Sequence, residues 1–298
     1  MTKSSSLLGR FNLPTRDAYD LPTSKKRFTD GGQYRIEIPS TEGPKAMAAV
    51  LDAGSQHGVR VHRISQGSGI MLQTDDEIRE MVGLGRTNNV EVCLFVGPRA
   101  SWDIGVQAAS SAGRVLGASL RGADQLAFGI EDVLYGLALG VKSILVGDIG
   151  HLAVLGRMKK DGDLPPDFVL KTSVTLAAAN PAAGRVMEDL VATSLNLPVD
   201  LTLPQIAAIR QAVDIPIDYY VESPDDFGGA VRHYEIPELV RVAAPIYLKF
   251  GLRNHPPLYP AGQHLEHTVI ALCRERVRRA ALGLNMLRRY APDAVASS

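Results

Sequence analysis

Seven charged residues sit in short apolar runs where a charge is costly: Arg35, Glu37, Glu91, Lys171, Asp218, Glu222 and Lys249. Each alternates with Val, Ile, Leu, Phe or Tyr, the period-two pattern of a strand whose two faces meet different surroundings. A charge buried on such a face costs several kcal/mol unless it is paired or used. Arg35, Glu91 and Asp218 lie early in their runs and fit structural ion pairs. Glu37, Lys171, Glu222 and Lys249 lie at or after the middle, and Asp148 ends the run Leu-Val-Gly-Asp. Three chemistries are open to this second group. Glu37, Asp148 and Glu222, with His151 or His62 nearby, offer the hard oxygen donors that suit Mg²⁺ or Mn²⁺. Lys171 or Lys249 could form an imine with a carbonyl substrate. A lysine and a carboxylate could act as paired acid and base without metal.

The elements that would position these residues alternate regularly. Strand-like runs fall at 34–39, 60–65, 90–96, 143–148, 168–174, 195–199, 215–221 and 246–251. Helix-like runs fall at 42–57, 74–86, 124–140, 151–160, 181–192, 204–213, 236–243 and 264–290. Thr74 before three acids, Asn180-Pro181 and Thr202 before Pro204 are helix starts. Eight strand–helix units predict a single α/β (β/α)8 TIM barrel over 34–298, preceded by a polar arm over 1–33. No Gly-x-Gly-x-x-Gly opens the first helix and no Walker loop is present, so no nucleotide cofactor is expected.

Strand parity then divides inside from outside. Tyr34, Ile36 and Ile38 face the helices, which turns Arg35 and Glu37 inward. The same test places Glu91, Cys93 and Phe95, then Lys171 and Ser173, then Asp218, Tyr220 and Glu222, and finally Tyr247 and Lys249 inside. The second and sixth strands are ambiguous. Loops after the strands supply candidate anion anchors: Arg63 and Gln66 at the second strand, Arg99 after the third, Ser173 at the fifth, Gly228 and Gly229 after the seventh, and Arg253 after the eighth. Glycine-rich loops after strands seven and eight are where many barrels hold phosphate. His264 is placed to reach the barrel mouth, while the neighbouring His267 reads as a polar helix start. The 42 residues from Arg99 to Gly140 exceed one helix, and their first half, with Trp102 and Gln107, suits a lid or interface. Arg274–Arg279 reads as a solvated helix face.

The runs Tyr-Arg-Ile-Glu-Ile-Pro-Ser (34–40) and Asp-Tyr-Tyr-Val-Glu-Ser-Pro-Asp-Asp (218–226) resemble TIM-barrel proteins of the collagenase-like peptidase family. The resemblance implies the barrel fold over roughly 34–290. Members typically carry a cysteine cluster, in several associated with an iron–sulfur centre and RNA or quinone hydroxylation. This chain lacks the cluster, having only Cys93 and Cys273, so no iron–sulfur cluster is expected.

Thirty-two basic residues balance 32 acidic ones in 298. That balance argues against a nucleic-acid partner led by phosphate neutralisation. No segment has the length and apolarity of a membrane span or signal peptide, so a cytoplasmic protein with no membrane partner is expected. The leading expectation is a lyase or isomerase of aldolase or epimerase type, acting on a small anionic carbonyl or sugar-derived substrate. A metal-dependent amide or peptide-like hydrolase and a non-catalytic ligand-binding barrel are the rivals. Homo-oligomerisation is left open.

Overall fold

The computed structural model describes residues 3–103, 105–111 and 113–298. Its eight strands are β1 (Tyr34–Pro39), β2 (Arg63–Gln66), β3 (Glu91–Phe95), β4 (Ser143–Val146), β5 (Val169–Thr172), β6 (Leu195–Asn196), β7 (Ile217–Glu222) and β8 (Ile246–Phe250). The helices are α1 (Lys3–Arg10), α2 (Pro44–His57), α3 (Asp75–Asn88), α4 (Val106–Ala109), α5 (Gly122–Ala138), α6 (Ile149–Asp161), α7 (Pro181–Asp189), α8 (Leu203–Ala212), α9 (Ile236–Ala243) and α10 (Glu266–Tyr290). All strand pairings are parallel, in the order β5-β4-β3-β2-β1-β8-β7-β6. A single bridge, Lys171 to Ser194, joins β5 to the entry of β6. The Thr193 and Thr172 amides donate to Leu170 O (2.9 Å) and Ser194 O (3.1 Å) across this seam. The chain is therefore an eight-stranded, nearly closed TIM barrel, and β6 is its shortest stave.

Local sequence explains most element starts. Thr74 and Glu77 form a reciprocal capping box on α3, Asn180 accepts from the Ala183 amide ahead of Pro181, and Thr202 with Gln205 caps α8. The apolar face of each strand packs on the helices: Ile36, Ile38, Ile64, Leu94, Ile144, Leu170, Ile217, Tyr219, Ile246, Leu248 and Phe250 are all buried in one continuous core. None of the described helices is long and apolar enough to cross a membrane.

The N-terminal arm runs along the outer helices α8 and α9 and ends at the amino-terminal end of the barrel. Its Ala18 amide donates to Pro204 O (3.1 Å) and its Ser24 amide to Arg241 O (2.9 Å). Phe28 then stands edge-on to Tyr247, ring centroids 5.4 Å apart, with Arg35 over its face at 4.2 Å. The C-terminal residues meet the arm there. Asp30 accepts from the Ser297 hydroxyl (2.5 Å), and the Ser297 amide donates to Tyr34 O (3.0 Å). Arm and tail together stopper the end of the barrel opposite the strand carboxyl ends.

His62 belongs to this stopper. Its Nδ1 accepts from the Ile36 amide (3.0 Å), and its Nε2 pairs with Ser297 O (3.0 Å), which can only accept. The ring must therefore be neutral, and burial lowers its pKa from 6.5 to about 4. The unfolded chain takes up that proton and the folded chain does not. His62's contribution is thus complete above pH 6.5 and is lost as pH falls towards 4, at about 1.4 kcal/mol per unit. We expect His62→Gln to flatten the stability-versus-pH slope between pH 6.5 and 4 by close to one proton in denaturant titrations. An unchanged slope would show that His62 is not held neutral.

Candidate functional site

One carboxylate organises the barrel interior. Glu37, from β1, is wholly buried and pairs with three cations. Lys171 of β5 contacts its Oε1, Lys249 of β8 lies 3.6 Å from the same oxygen, and Arg63 of β2 lies 3.4 Å from Oε2. The Ser65 hydroxyl donates to Oε1 at 2.7 Å. Register explains the meeting, because Glu37 stands opposite Arg63 on one side and Lys249 on the other. Burial alone would raise the Glu37 pKa. The neighbouring Lys171, Lys249 and Arg63 outweigh it and hold the carboxyl well below the usual carboxylate range.

A second tier lies nearer the stopper. Arg63 also pairs with Glu91 and Asp218, each at 2.8 Å, and lies over the Tyr247 ring at 3.6 Å. Ser143 donates to Glu91 (2.6 Å) and Ser194 to Asp218 (2.7 Å). Barrel interiors are ordinarily filled by branched aliphatic layers. Here they are replaced by a satisfied ionic network.

Above the network, at the carboxyl ends of the strands, opens a cavity of about 390 Å³. That volume lies within the range of small-molecule sites. Lys249, Asn196, Tyr220 and Ser65 line it from the strands, with Gln66, Ser173, Val174 and Thr175 at the strand ends. Loop residues Arg99, Trp102, Phe227 and Tyr259 complete the wall. Lys249 Nζ lies 4.0 Å from the Tyr220 ring centroid and, with the Asn196 amide turned to satisfy its neighbours, 2.9 Å from its carbonyl oxygen. Lys171, by contrast, is spent on Glu37 and does not reach the cavity wall.

The expected site residues divide accordingly. Glu37, Lys171, Lys249 and Arg63 come together in the floor, and Gln66, Ser173 and Arg99 line the cavity. Gln66 also makes reciprocal bonds to the Gly69 backbone, and Ser173 caps the following turn at Thr175. Glu222 does not join them, because a register shift between Tyr220 and Glu222 breaks the alternation of β7. Its carboxylate instead meets His233 (3.4 Å), the Arg253 amide (3.1 Å) and Arg279 of α10 (3.5 Å). Asp148 caps α6 by accepting from the His151 amide (2.9 Å), and it accepts from Leu120 N (3.1 Å). The trio considered for Mg²⁺ or Mn²⁺ is therefore split among separate places. Among the described residues no three His, Cys, Asp or Glu side chains converge as a metal set. His62 sits in the stopper, and the buried His151 ring packs against Gly129 of α5.

Gly228, Gly229 and Arg253 form no open anion cradle either. Gly228, in the left-handed region at φ 95°, closes a turn after Phe227, while Arg253 pairs with Asp225 (3.1 Å). His264 is exposed and does not line the cavity. In the run 274–279, Arg276 departs from the expected solvated face: it is wholly buried and donates to Ser40 O (3.2 Å). That carbonyl belongs to a cavity-lining residue whose hydroxyl meets Tyr259 Oη at 2.5 Å. Asn196 and Tyr259 were not singled out from sequence. β6 is too short to show parity, and Tyr259 arrives nine residues after β8 with no local pattern to mark it.

No protein-family model matches the chain, and no curated protein matches it. Solved structures of similar architecture include a U32 peptidase (15% identity, 78% of this chain and 98% of that one, TM-score 0.43). Others are a thiamine phosphate pyrophosphorylase from Pyrococcus furiosus (11%, 86% and 98%, 0.45) and a delta-aminolevulinic acid dehydratase from Toxoplasma gondii (9%, 75% and 84%, 0.46). At these identities the likeness is one of fold. It does not establish the family to which the runs 34–40 and 218–226 bear a resemblance.

The floor makes a stability prediction. Replacing Glu37 by Gln strands Lys171 and Lys249 without their carboxylate, and breaking a buried pair in this way costs about 3–5 kcal/mol. Glu37→Gln/Lys171→Met should recover part of the loss, because it removes one stranded charge. Urea unfolding of the wild type, single and double variants measures both. A single-variant loss below about 1 kcal/mol would mean that Glu37 does not hold the floor.

Proposed function

We propose that the chain is a TIM-barrel enzyme of lyase or isomerase type, acting on a small carbonyl compound through an imine formed at Lys249. The observation that carries this reading is the asymmetry of the two interior lysines. Both point at Glu37, but Lys171 is held in contact with it, whereas Lys249 is 3.6 Å away and lines the cavity. A carbonyl carbon entering at the strand carboxyl ends therefore meets Lys249. Barrel enzymes place their chemistry at that end.

The proposed step balances within the site. The neutral amine of Lys249 adds to the substrate carbonyl carbon, and the resulting carbinolamine takes up one proton from solvent at the mouth and loses water to give a protonated imine. That cation draws the electron pair of an adjacent C–C or C–H bond towards itself, which serves cleavage and proton-shift chemistry alike. Glu37 is held ionised, so its role is to stabilise the iminium charge rather than to take the proton lost from Lys249. That proton leaves by the open mouth. Asn196 and Ser173 offer hydrogen bonds to a substrate oxygen, and Lys171 keeps the Glu37 carboxylate in place as a positioning residue. Glu37, Asp148 and Glu222 lie apart, so no step is routed through a metal, and no observation favours the hydrolase reading.

Borohydride treatment with a panel of 2-oxoacids tests the proposal. The expected result is a reduced adduct whose mass maps to the peptide carrying Lys249 and which is absent from Lys249→Met. An adduct on Lys171 instead, or no adduct from any oxoacid that binds saturably, would overturn it.

A further inference from the structure

The walls of the cavity differ from its floor. Phe95, Trp102, Tyr220, Phe227 and Tyr259 all line it, and Trp102 is the only tryptophan in the chain. Tyr220 and Phe227 are stacked within 25° of parallel, their centroids 6.2 Å apart. Aromatic side chains make up 6% of the sequence, so five in the lining of one cavity is a strong local concentration. Flat apolar walls of this kind favour a flat apolar ligand body.

Arg99 is set into the same wall. Its guanidinium carbon lies 3.8 Å from the centroids of both Phe95 and Trp102. The side chain is 8% exposed and bonds to two backbone carbonyls, Gly67 O at 2.8 Å and Ser68 O at 3.4 Å. Its Nε–H has no partner, so two of five donors are engaged among the described residues. No carboxylate pairs with it there. Burial pushes its pKa down to about 10, outweighing the opposing pull of Tyr259, Glu42 and Asp132 nearby. Asp226 is the one acid among the described residues that line the cavity, against Arg99 and Lys249.

We infer that the cavity selects carbonyl compounds pairing an aromatic body with a carboxylate, the body lying on the aromatic wall and the carboxylate seated on Arg99. This deepens the proposed function and rests on the cavity being the substrate site. A planar guanidinium with free N–H groups suits a carboxylate, and fixing that group at Arg99 would leave the carbonyl to Lys249.

Binding without chemistry separates this inference from the imine. 3-Phenylpropionate has the ring and the carboxylate but no carbonyl, and quenching of Trp102 fluorescence reports its arrival. We expect saturable binding, at least about tenfold tighter than 3-phenylpropan-1-ol, which lacks the charge, or propionate, which lacks the ring. Arg99→Gln should weaken 3-phenylpropionate by at least about tenfold and leave the alcohol nearly unchanged, whereas Lys249→Met should leave 3-phenylpropionate bound. Equal affinity for the alcohol would overturn the role of Arg99, and equal affinity for propionate would overturn the aromatic wall. These wild-type comparisons decide the matter even if Arg99→Gln fails to fold. Tight 3-phenylpropionate binding without any borohydride adduct from phenylpyruvate would sink the imine and keep this inference. An adduct from pyruvate, with no saturable 3-phenylpropionate binding, would do the reverse.

Discussion

A buried carboxylate with too many cations around it governs this barrel. Glu37 cannot satisfy Lys171, Lys249 and Arg63 equally, because Lys171 already occupies the contact position on Oε1. Arg63 resolves its share by turning to Glu91 and Asp218. Among the described residues Lys249 pairs with no second carboxylate; it settles against the Tyr220 ring and the Asn196 amide and, though buried, lines the cavity. The competition at one oxygen thus sorts two chemically identical side chains into a structural lysine and an available one.

The cost of such an interior is met by completeness. Each ion removed from water costs several kcal/mol, recovered only when the remaining lone pairs and protons also find partners. Serines supply them: Ser65 at Glu37, Ser143 at Glu91 and Ser194 at Asp218. Arm and tail matter for the same reason. Phe28 and the Ser297 segment cover Tyr247, Arg35 and His62 at the stoppered end, which leaves the cavity at the other side. A barrel sealed at one end and charged along its axis has a single direction from which a small molecule can reach Lys249.

How much of this was legible follows from what parity requires. It works where a strand is long, unbroken and apolar on its outer face, so Glu37, Glu91, Lys171, Asp218, Tyr220 and Lys249 were placed inward from sequence. It fails where any of those conditions fails. β6 has two residues and hid Asn196. Just before β2, polar His62 faces away from Arg63 and Ser65, because the stopper needs a hydrogen-bonding ring there, and the mixed pattern concealed the strand's parity. In β7 the register shift turned Glu222 out of the barrel, and no neighbouring residue type signals the slip. The helix α10 repeats the lesson, since a run of arginines looks solvated until the carbonyl of Ser40 claims Arg276.

The division between strands and loops also separates reactivity from recognition. Lys249 is fixed by register, since its place beside Glu37 follows from the pairing of β1 with β8. Arg99 and Trp102 follow β3 in a loop whose length exceeds what one crossover helix needs, and Tyr259 follows β8 in another. Loops tolerate change more readily than a register does. On the proposed reading, exchange of Arg99 or its aromatic neighbours would therefore alter which carbonyl compound is accepted while leaving the Glu37–Lys249 floor intact. A change in the order of ions on the floor would instead remove the available lysine itself. The loop combines a buried cation with the chain's only tryptophan, so on the proposed reading selection acts where the cavity wall is built and chemistry where the barrel is closed.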